Sequence, residues 1–386
     1  MTSFEPNEGH TTPATAPTQD FREIAHSGGK VTFEILVDPD GRKQYRITSI
    51  GSRPVPMKMF GIYALPQGIP VGTIYLRGIG EPWNPPPDSS CIPVFIGSDS
   101  EGYFGHQCPD CGKYWRSGTL VRVCPYCRGQ GEAFQFLTPA HLAYVRHYAR
   151  TLFNGVKATQ PGQSNQVTID MDAIVDGAVV PKPDFYHSGT NQQTRFKCVR
   201  CQVDNDIRGR YGFCSRCGWR NNLADLKAQI EIVREQMNMG RLAPEEAVKR
   251  IVSVFDACCR DWAAQLAARP MRPRRRKELQ DTLFHRLDAA DVLMRTSDIE
   301  LLKGMEQDRE FLRTMLQRRH VFEHEGGVAT RRYLDESGDQ SITEGTLIRE
   351  TRENAHRLAS CVIRMATNFE TGFHEIFPVV EDQEAK

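Results

Sequence analysis

The fold of this chain is decided by the stretch QCPDCGKYWRSGTLVRVCPYCRG (residues 107–129), in which twelve residues separate two Cys-x-x-Cys pairs. A second stretch, KCVRCQVDNDIRGRYGFCSRCGW (residues 197–219), repeats the same spacing. Two cysteines three residues apart on a tight turn can face one metal ion, and a second such pair completes a tetrahedral four-sulfur site. The two blocks contain the ligand candidates Cys108, Cys111, Cys124, Cys127, Cys198, Cys201, Cys214 and Cys217.

These eight cysteines predict two structural zinc ribbons, each holding one Zn²⁺ ion as its cofactor. Four thiolates fill the tetrahedron, so no position is left for a catalytic water. The alternative is two pairs of disulfides, which a reducing compartment does not maintain. The other cysteines have no metal-ligand spacing and are interpreted as small apolar residues; they are Cys91, Cys258, Cys259 and Cys361.

The composition indicates a soluble, multidomain protein. The chain has 386 residues, of which 39% are hydrophobic and 25% charged, and this length accommodates two to four domains. Because the net charge is +1, binding of a nucleic acid would require a local basic patch. The first twenty residues are polar and lack the apolar core of a signal peptide, and no later run is long enough to span a bilayer. We therefore expect a cytoplasmic protein with no membrane partner.

Alternating apolar residues predict a small antiparallel β domain over residues 21–105, after a disordered tail at 1–20. The runs KVTFEILV and KQYRITSI flank Asp38–Gly41, which has the Pro and Gly of a turn. The first ribbon is placed at residues 106–135. Because this domain shows no recognisable cluster of reactive side chains, its role stays open.

A helix and a polar linker are predicted over residues 136–195, before the second ribbon at 196–221. Thr138 and Pro139 have the character of an N-cap and a first helical residue. His141 and His147 lie on this helix, and we interpret them as surface or interfacial residues because neither has a partner at metal-ligand spacing.

From residue 222 the apolar residues recur with helical spacing. Five amphipathic helices are predicted, and short connections between them favour an antiparallel bundle. Their apolar stripes run through Leu223–Met237, Val248–Leu266, Leu279–Ala290, Leu301–Leu316 and Leu347–Ile376, with the last helix beginning near Ser341. The predicted fold class is therefore α+β and multidomain, with an N-terminal β domain, two zinc ribbons and a C-terminal α-bundle.

The fourth helix ends in MLQRRHVFEHEGGVATRRYL, where Arg319, His320 and His324 continue a face that is apolar in the preceding turns. Charged groups in a bundle groove are costly unless they are paired or functional. An Arg, a polar residue and a His after four intervening residues, late in an α-bundle, resembles the signature of HEPN domains. The preceding Arg318 and the following Glu-Gly-Gly and Arg-Tyr-Leu are also similar to a HEPN subgroup. The resemblance covers residues 222–378, and a short tail follows at 379–386.

This resemblance implies a metal-independent RNA endonuclease of a defence or toxin system. It assigns Arg319 to the phosphate, His324 to acid–base catalysis and His320 to a supporting polar role. It also implies a homodimer with a composite site and admits a neutralising or regulatory partner protein. The residue types suit the chemistry, because RNA carries its own 2′-OH nucleophile and needs a base, an acid and a cation.

Basic segments suggest where RNA, such as tRNA or a single strand, would bind. The segment ARPMRPRRRKELQ (residues 268–280) offers six cations, and the ribbons mix cations with aromatic residues suited to stacking on bases. Asp256 and Arg260 are further candidates for completing the catalytic site. The alternative is a non-enzymatic interaction protein that binds a nucleic acid or a partner subunit. A zinc-ribbon transcription regulator is a third reading, but the sequence shows no DNA-reading helix.

Overall fold

The computed structural model describes residues 30–51, 58–75, 83–98, 101–119, 121–170 and 193–381. It divides into two compact units. Unit 1 is the chain up to Lys197 together with Val203–Arg210, and unit 2 is Cys198–Gln202 together with the chain from Tyr211 onward. The predicted N-terminal tail and the last five residues of the predicted C-terminal tail lie outside the described residues.

Unit 1 contains small antiparallel sheets, as predicted. Its strands are β1 (Lys30–Val37), β2 (Lys43–Gly51), β3 (Met59–Ala64), β4 (Pro70–Ile74), β5 (Ile92–Gly97), β6 (Phe104–Gln107), β7 (Tyr114–Ser117), β8 (Ser164–Asp170), β9 (Gln193–Lys197) and β10 (Asp204–Arg208). They form three sheets, with strand orders β2-β1-β8, β4-β3-β5 and β6-β7-β10-β9. The β domain predicted before the first ribbon contains two of these sheets, and one of them also includes β8.

The four-stranded sheet joins strands from both cysteine repeats. The first knuckle of each repeat lies between its two strands, and β7 pairs with β10. Counted from the first cysteine of each repeat, Arg116 and Asp206 occupy the same position, and they face each other across this pairing. Both are buried, with Arg116 Nη2 2.5 Å from Asp206 Oδ2. Glu101 accepts from the same guanidinium at 2.8 Å.

Helix α1 (Pro139–Ala158) closes the core of unit 1. The Thr138 side chain accepts a hydrogen bond from the backbone N–H of His141 at 3.1 Å, which confirms the predicted cap. His141 is buried, so the expectation of a surface or interfacial residue is wrong for it; His147 is exposed. The polar linker is shorter than expected, because α1 extends to Ala158 and β8 begins at Ser164.

Unit 2 contains seven of the helices in the described residues. They are α2 (Asn222–Asn238), α3 (Pro244–Ala267), α4 (Pro273–Asp281), α5 (Leu287–Arg295), α6 (Arg309–His324), α7 (Arg331–Ser337) and α8 (Arg352–Ile376). Helix α3 is the centre of the unit and packs against α2, α4, α6 and α8. Among the described residues, every helix is too short or too polar to cross a membrane.

Three predicted helix boundaries differ from the structure. The third predicted helix is two helices, because Asp256 Oδ1 binds the backbone N–H groups of Phe284 (2.6 Å) and His285 (3.4 Å) in a turn. The fourth begins at Arg309, after a 3-10 turn at Glu306–Asp308. The fifth begins at Arg352, where the Thr351 side chain accepts from the backbone of Asn354. Helices α2 and α3 agree with their predictions.

Candidate metal centres and catalytic site

All four Cys-x-x-Cys pairs adopt the same type of tight turn. The residue after the second cysteine has a positive φ, and its N–H donates to the carbonyl of the first cysteine. These residues, with φ and N···O distance, are Gly112 (69°, 2.9 Å), Arg128 (62°, 3.0 Å), Gln202 (60°, 2.9 Å) and Gly218 (73°, 2.9 Å). Each repeat thus places one glycine and one larger residue in a conformation that favours glycine.

The sulfurs of each repeat converge on a single point, with all four Sγ atoms within 4.8 Å of one another. The Sγ–Sγ distances between the two knuckles of a repeat are 3.6 Å (Cys108–Cys127), 3.7 Å (Cys111–Cys124), 3.6 Å (Cys198–Cys217) and 3.5 Å (Cys201–Cys214). Metal–sulfur bonds of about 2.3 Å give tetrahedral edges of about 3.8 Å, whereas a disulfide requires about 2.05 Å. Both groups therefore fit a tetrahedral metal ion, as predicted, and do not form disulfides. The four remaining cysteines are buried, which agrees with their interpretation as apolar residues.

The first cluster belongs to the core of unit 1. Cys108 and Cys124 are buried, and Trp115 lies beside them with its ring edge-on to Phe136 at 5.4 Å. Burial, reinforced by the neighbouring His141, lowers the pKa of His106 to about 3. Buried His106, two residues before Cys108, is therefore uncharged at neutral pH.

The second cluster is built into the helices of unit 2 through the two residues that follow Gly218. Trp219 stacks on His374 of α8, with ring centroids 4.0 Å apart and planes 13° from parallel. Arg220, whose side chain is 2% exposed, binds Asp261 of α3 with Nη2 2.6 Å and Nε 3.0 Å from Oδ2. The metal centre and the helical core of unit 2 are thus one packed structure.

Further contacts extend this attachment. Phe213 stacks on Phe373 at 6.2 Å, and the N–H of Val380 donates to the carbonyl of Cys217 at 2.9 Å. The indole of Trp219 also hydrogen-bonds Glu370, one turn before His374. Burial raises the pKa of Glu370 to about 7, against the opposing effects of Lys227 and of this hydrogen bond. The sequence analysis missed these α8 residues, although Glu370 and His374 lie four residues apart and therefore on the same face of a helix.

Most of the aromatic side chains of the ribbons pack against other residues of the protein. Tyr114, Trp115 and Phe213 are buried, and Trp219 has His374 on one face and the guanidinium of Arg200 at 5.7 Å from its ring centroid. Stacking on RNA bases requires an accessible ring face. The interpretation as a stacking surface is therefore wrong for Tyr114, Trp115 and Phe213, whereas Tyr211 and Trp219 are half-buried.

The predicted catalytic residues lie in the last two turns of α6. Arg319 Nη2 is 2.5 Å from Glu323 Oε2, and Arg319 Nε is buried with no hydrogen-bond partner among the described residues. The rings of His320 and His324 are 4.8 Å apart between centroids. His324 is exposed and the side chain of His320 is 37% exposed, so two imidazoles lie next to each other near solvent at the end of the helix that also carries Arg319.

The end of α6 is fixed by the two glycines that follow it. Gly326 and Gly327 have φ values of 61° and 84°, and the N–H of Gly327 donates to the carbonyl of Val321 at 3.1 Å. The chain then pairs Val328 with Leu347 in an isolated bridge. Helix α6 therefore ends at His324, just before the glycine pair.

A buried ionic network missed in the sequence lies beside these residues. Arg318 binds Glu350 and Asp339, each at 2.9 Å, and its Nε donates to the hydroxyl of Tyr333 at 3.3 Å. Burial opposes the ionisation of Asp339, but hydrogen bonds from Ser341, Tyr333 and Arg318 hold its pKa well below the usual range. An Arg next to the catalytic candidate was visible in the sequence, whereas its distant partners were not.

The other candidates are occupied elsewhere. Asp256 caps the turn at Phe284 and accepts from His285, and Arg260 approaches it only to 3.9 Å. In the basic segment, Arg275 and Arg276 bind backbone carbonyls of Leu293 and Ala267, whereas Arg274 is 91% exposed. Asp256 therefore has a structural role, whereas five of the six cations of the basic segment are exposed and only Arg275 is half-buried.

Comparison with known proteins finds no relative of this chain. The chain matches no family model, no curated protein and no solved structure. The resemblance to HEPN domains therefore rests on the residues of the α6 motif and stays a prediction.

Proposed function

We propose that unit 2 is a metal-independent RNA endonuclease of the HEPN type, acting in a defence or toxin system. The observation that carries this proposal is the grouping of Arg319, His320 and His324 at the accessible end of α6. A permanently charged guanidinium beside two imidazoles supplies the cation, base and acid that RNA cleavage requires.

In the proposed reaction one imidazole takes the proton of the 2′-OH, which attacks the adjacent phosphorus. The bond to the 5′-oxygen breaks, and that oxygen receives a proton from a second acid. Arg319 stabilises the additional negative charge on the phosphate oxygens. His324 is assigned to acid–base catalysis and His320 to orientation, since His324 is the more exposed of the two. The products are a 2′,3′-cyclic phosphate and a 5′-OH end.

A second copy of the chain supplies the facing half of the site in this proposal, because HEPN motifs work in pairs. The two cysteine clusters bind zinc, since four thiolates at tetrahedral spacing are its preferred structural ligands. Zinc would hold the knuckles and take no part in the chemistry, because cysteine occupies all four ligand positions.

The test is incubation of the purified protein with tRNA and with a generic single-stranded RNA in EDTA. We expect the wild type to leave cyclic-phosphate and 5′-OH ends, and Arg319→Ala and His324→Ala to lose about a hundredfold or more in rate. Arg313→Ala is the matched control, because Arg313 lies on the same helix and pairs with Asp288. Products with 5′-phosphate ends, or a requirement for added Mg²⁺, would contradict the proposal.

One observation favours a second function, a non-enzymatic interaction module. Arg319 is paired with Glu323 on its own helix, an arrangement that also serves a purely structural purpose. In that case Arg319→Ala would change the melting temperature or partner binding, and the wild type would bind RNA or a protein without cutting. Measuring melting temperature and RNA affinity beside cleavage separates the two functions.

A further inference from the structure

The segment from Gly327 to Glu350 is tied to α6 by one arginine. Arg318 makes three side-chain contacts, to Glu350, Asp339 and Tyr333, and its side chain is only 13% exposed. The partners are themselves linked, since the Tyr333 hydroxyl donates to Asp339 at 2.6 Å. Glu350, with a fully buried side chain, also accepts from the backbone of Thr351 at 2.9 Å. The cation and its anions are thus fully hydrogen-bonded.

The same segment determines how α6 ends. Within the segment, the Ile348 N–H donates to the Gly327 carbonyl and the Ala329 N–H to the Thr346 carbonyl, both at 2.8 Å, and the Gly327 N–H donates to the Val321 carbonyl of α6 at 3.1 Å. Beneath these bonds Val321, Ala329, Tyr333 and Ile348 form a small buried apolar cluster. The contacts of Arg318 therefore join the last turns of α6 to the structure that ends them.

From this geometry we infer that Arg318 is a positioning residue that sets the rotation of the last turns of α6 and thereby the orientation of Arg319, His320 and His324. Arg318 has a planar fork that fixes angles as well as distances, which a flexible lysine cannot reproduce. Neighbouring residues on a helix turn together, so an α6 held through Arg318 presents the next residues in one orientation. The expected effect of Arg318 on cleavage rests on the proposed nuclease function, whereas its effect on the orientation of these side chains does not.

The test uses Tyr333→Phe and Arg318→Gln, with Arg313→Gln as the control. Tyr333→Phe removes one hydroxyl and keeps the apolar contacts, so it stays informative if Arg318→Gln unfolds. Arg313 on the same helix also binds a carboxylate, Asp288, at 3.0 Å but is 40% exposed. The measurements are NMR titration of the imidazoles of His320 and His324, single-turnover cleavage, RNA affinity and melting temperature.

We expect both network variants to shift the titration curves of the two histidines and to lower the cleavage rate about ten- to a hundredfold, with RNA affinity unchanged. Arg313→Gln should change neither. Unaltered histidine titrations in Tyr333→Phe and Arg318→Gln would overturn the positioning role. If the wild type does not cleave RNA, the proposed function fails, but the titrations still decide whether Arg318 orients these side chains.

Discussion

The two cysteine repeats share one metal-binding frame but differ in the two residues that follow the last knuckle. The first repeat has Gly129 and Gln130, and the second has Trp219 and Arg220 at the same positions. A Cβ at Gly129 would lie 2.6 Å from Asp110 Oδ2, so a larger residue there would require the Asp110 side chain to move. The second repeat has Arg200 in place of Asp110, and its guanidinium lies over the Trp219 ring.

This difference shows that the spacing of the cysteines determines the metal site, while the residues just outside it determine what the module packs against. The first cluster is part of the core of unit 1, and the second is attached to α3 and α8 of unit 2. Structurally equivalent substitutions in the two repeats should therefore have unequal effects.

The largest effect is expected from Cys217→Ser compared with its equivalent, Cys127→Ser. Each should reduce the bound metal from two ions to one. Binding of a structural zinc contributes about 10–16 kcal/mol in isolated peptides, so losing the second site should abolish cooperative melting of the unit 2 helices. Circular dichroism melting and metal analysis measure this. Equal losses of helical melting in the two variants would contradict the inference that only the second cluster supports the helices of unit 2.

Arg220→Gln, which copies Gln130 of the first repeat, should destabilise unit 2 by about 3 kcal/mol. The reason is that Asp261, 25% exposed, would lose its cation and stay partly buried. Urea denaturation gives the value, with Arg331→Gln as a control because its ion pair with Asp335 is exposed. Adding Asp261→Asn should recover part of the loss, and failure to do so would show that the ion pair is not the cause.

A smaller, pH-dependent effect is expected at Glu370. Burial raises its pKa from 4.5 to about 7, so the unfolded chain releases this proton at lower pH than the folded protein does. The stability that the raised pKa contributes is fully present below about pH 4.5 and is lost as the pH rises through about 7. Glu370→Gln should therefore be more stable than the wild type at about pH 8, by up to about 3 kcal/mol.

Comparing denaturation midpoints at about pH 5 and about pH 8 provides the check on this prediction. Lys227 and Trp219, which both act on the Glu370 carboxyl, and His374, which stacks on Trp219, remain in the variant. An identical pH dependence of stability in the variant and the wild type would exclude Glu370 as its source.

The smallest effect is expected at the knuckle turns. Gln202 has a φ of 60° where the first repeat has Gly112. Gln202→Gly should stabilise the second repeat by about 0.5–1 kcal/mol, and Gly112→Gln should destabilise the first by a similar amount. Thermal melting compares them, and a destabilising Gln202→Gly would indicate that the bond from Gln202 Nε2 to the Val199 carbonyl at 3.1 Å outweighs the backbone strain.

The features predicted correctly from sequence depend on short-range patterns. The cysteine spacing, the Thr138 cap and the stripes of α2 and α3 are each determined by residues within a few turns of one another. The start of α8 was placed too early at Ser341, because the predicted stripe began at Leu347, which is exposed and pairs with Val328 in a loop. Apolar spacing alone does not distinguish a helix from a loop that is covered by a small helix.

The missed site residues depend on long-range contacts. Arg318 meets Glu350, and Trp219 meets His374, across long separations in the chain. Nothing in the local sequence pairs these side chains, and the aromatic residues of the ribbons therefore looked available for RNA. A sequence shows which groups are present, whereas tertiary packing decides which of them remain accessible.

The pairing of Arg116 with Asp206 makes the two repeats non-interchangeable. Because these residues hold equivalent positions, a symmetrical pair of identical repeats would set this residue against its own copy. Arginine facing arginine, or aspartate facing aspartate, would repel in a buried site. The present ion pair is available only to two unlike repeats on one chain. A copy of either repeat in place of the other would therefore lose this buried ion pair.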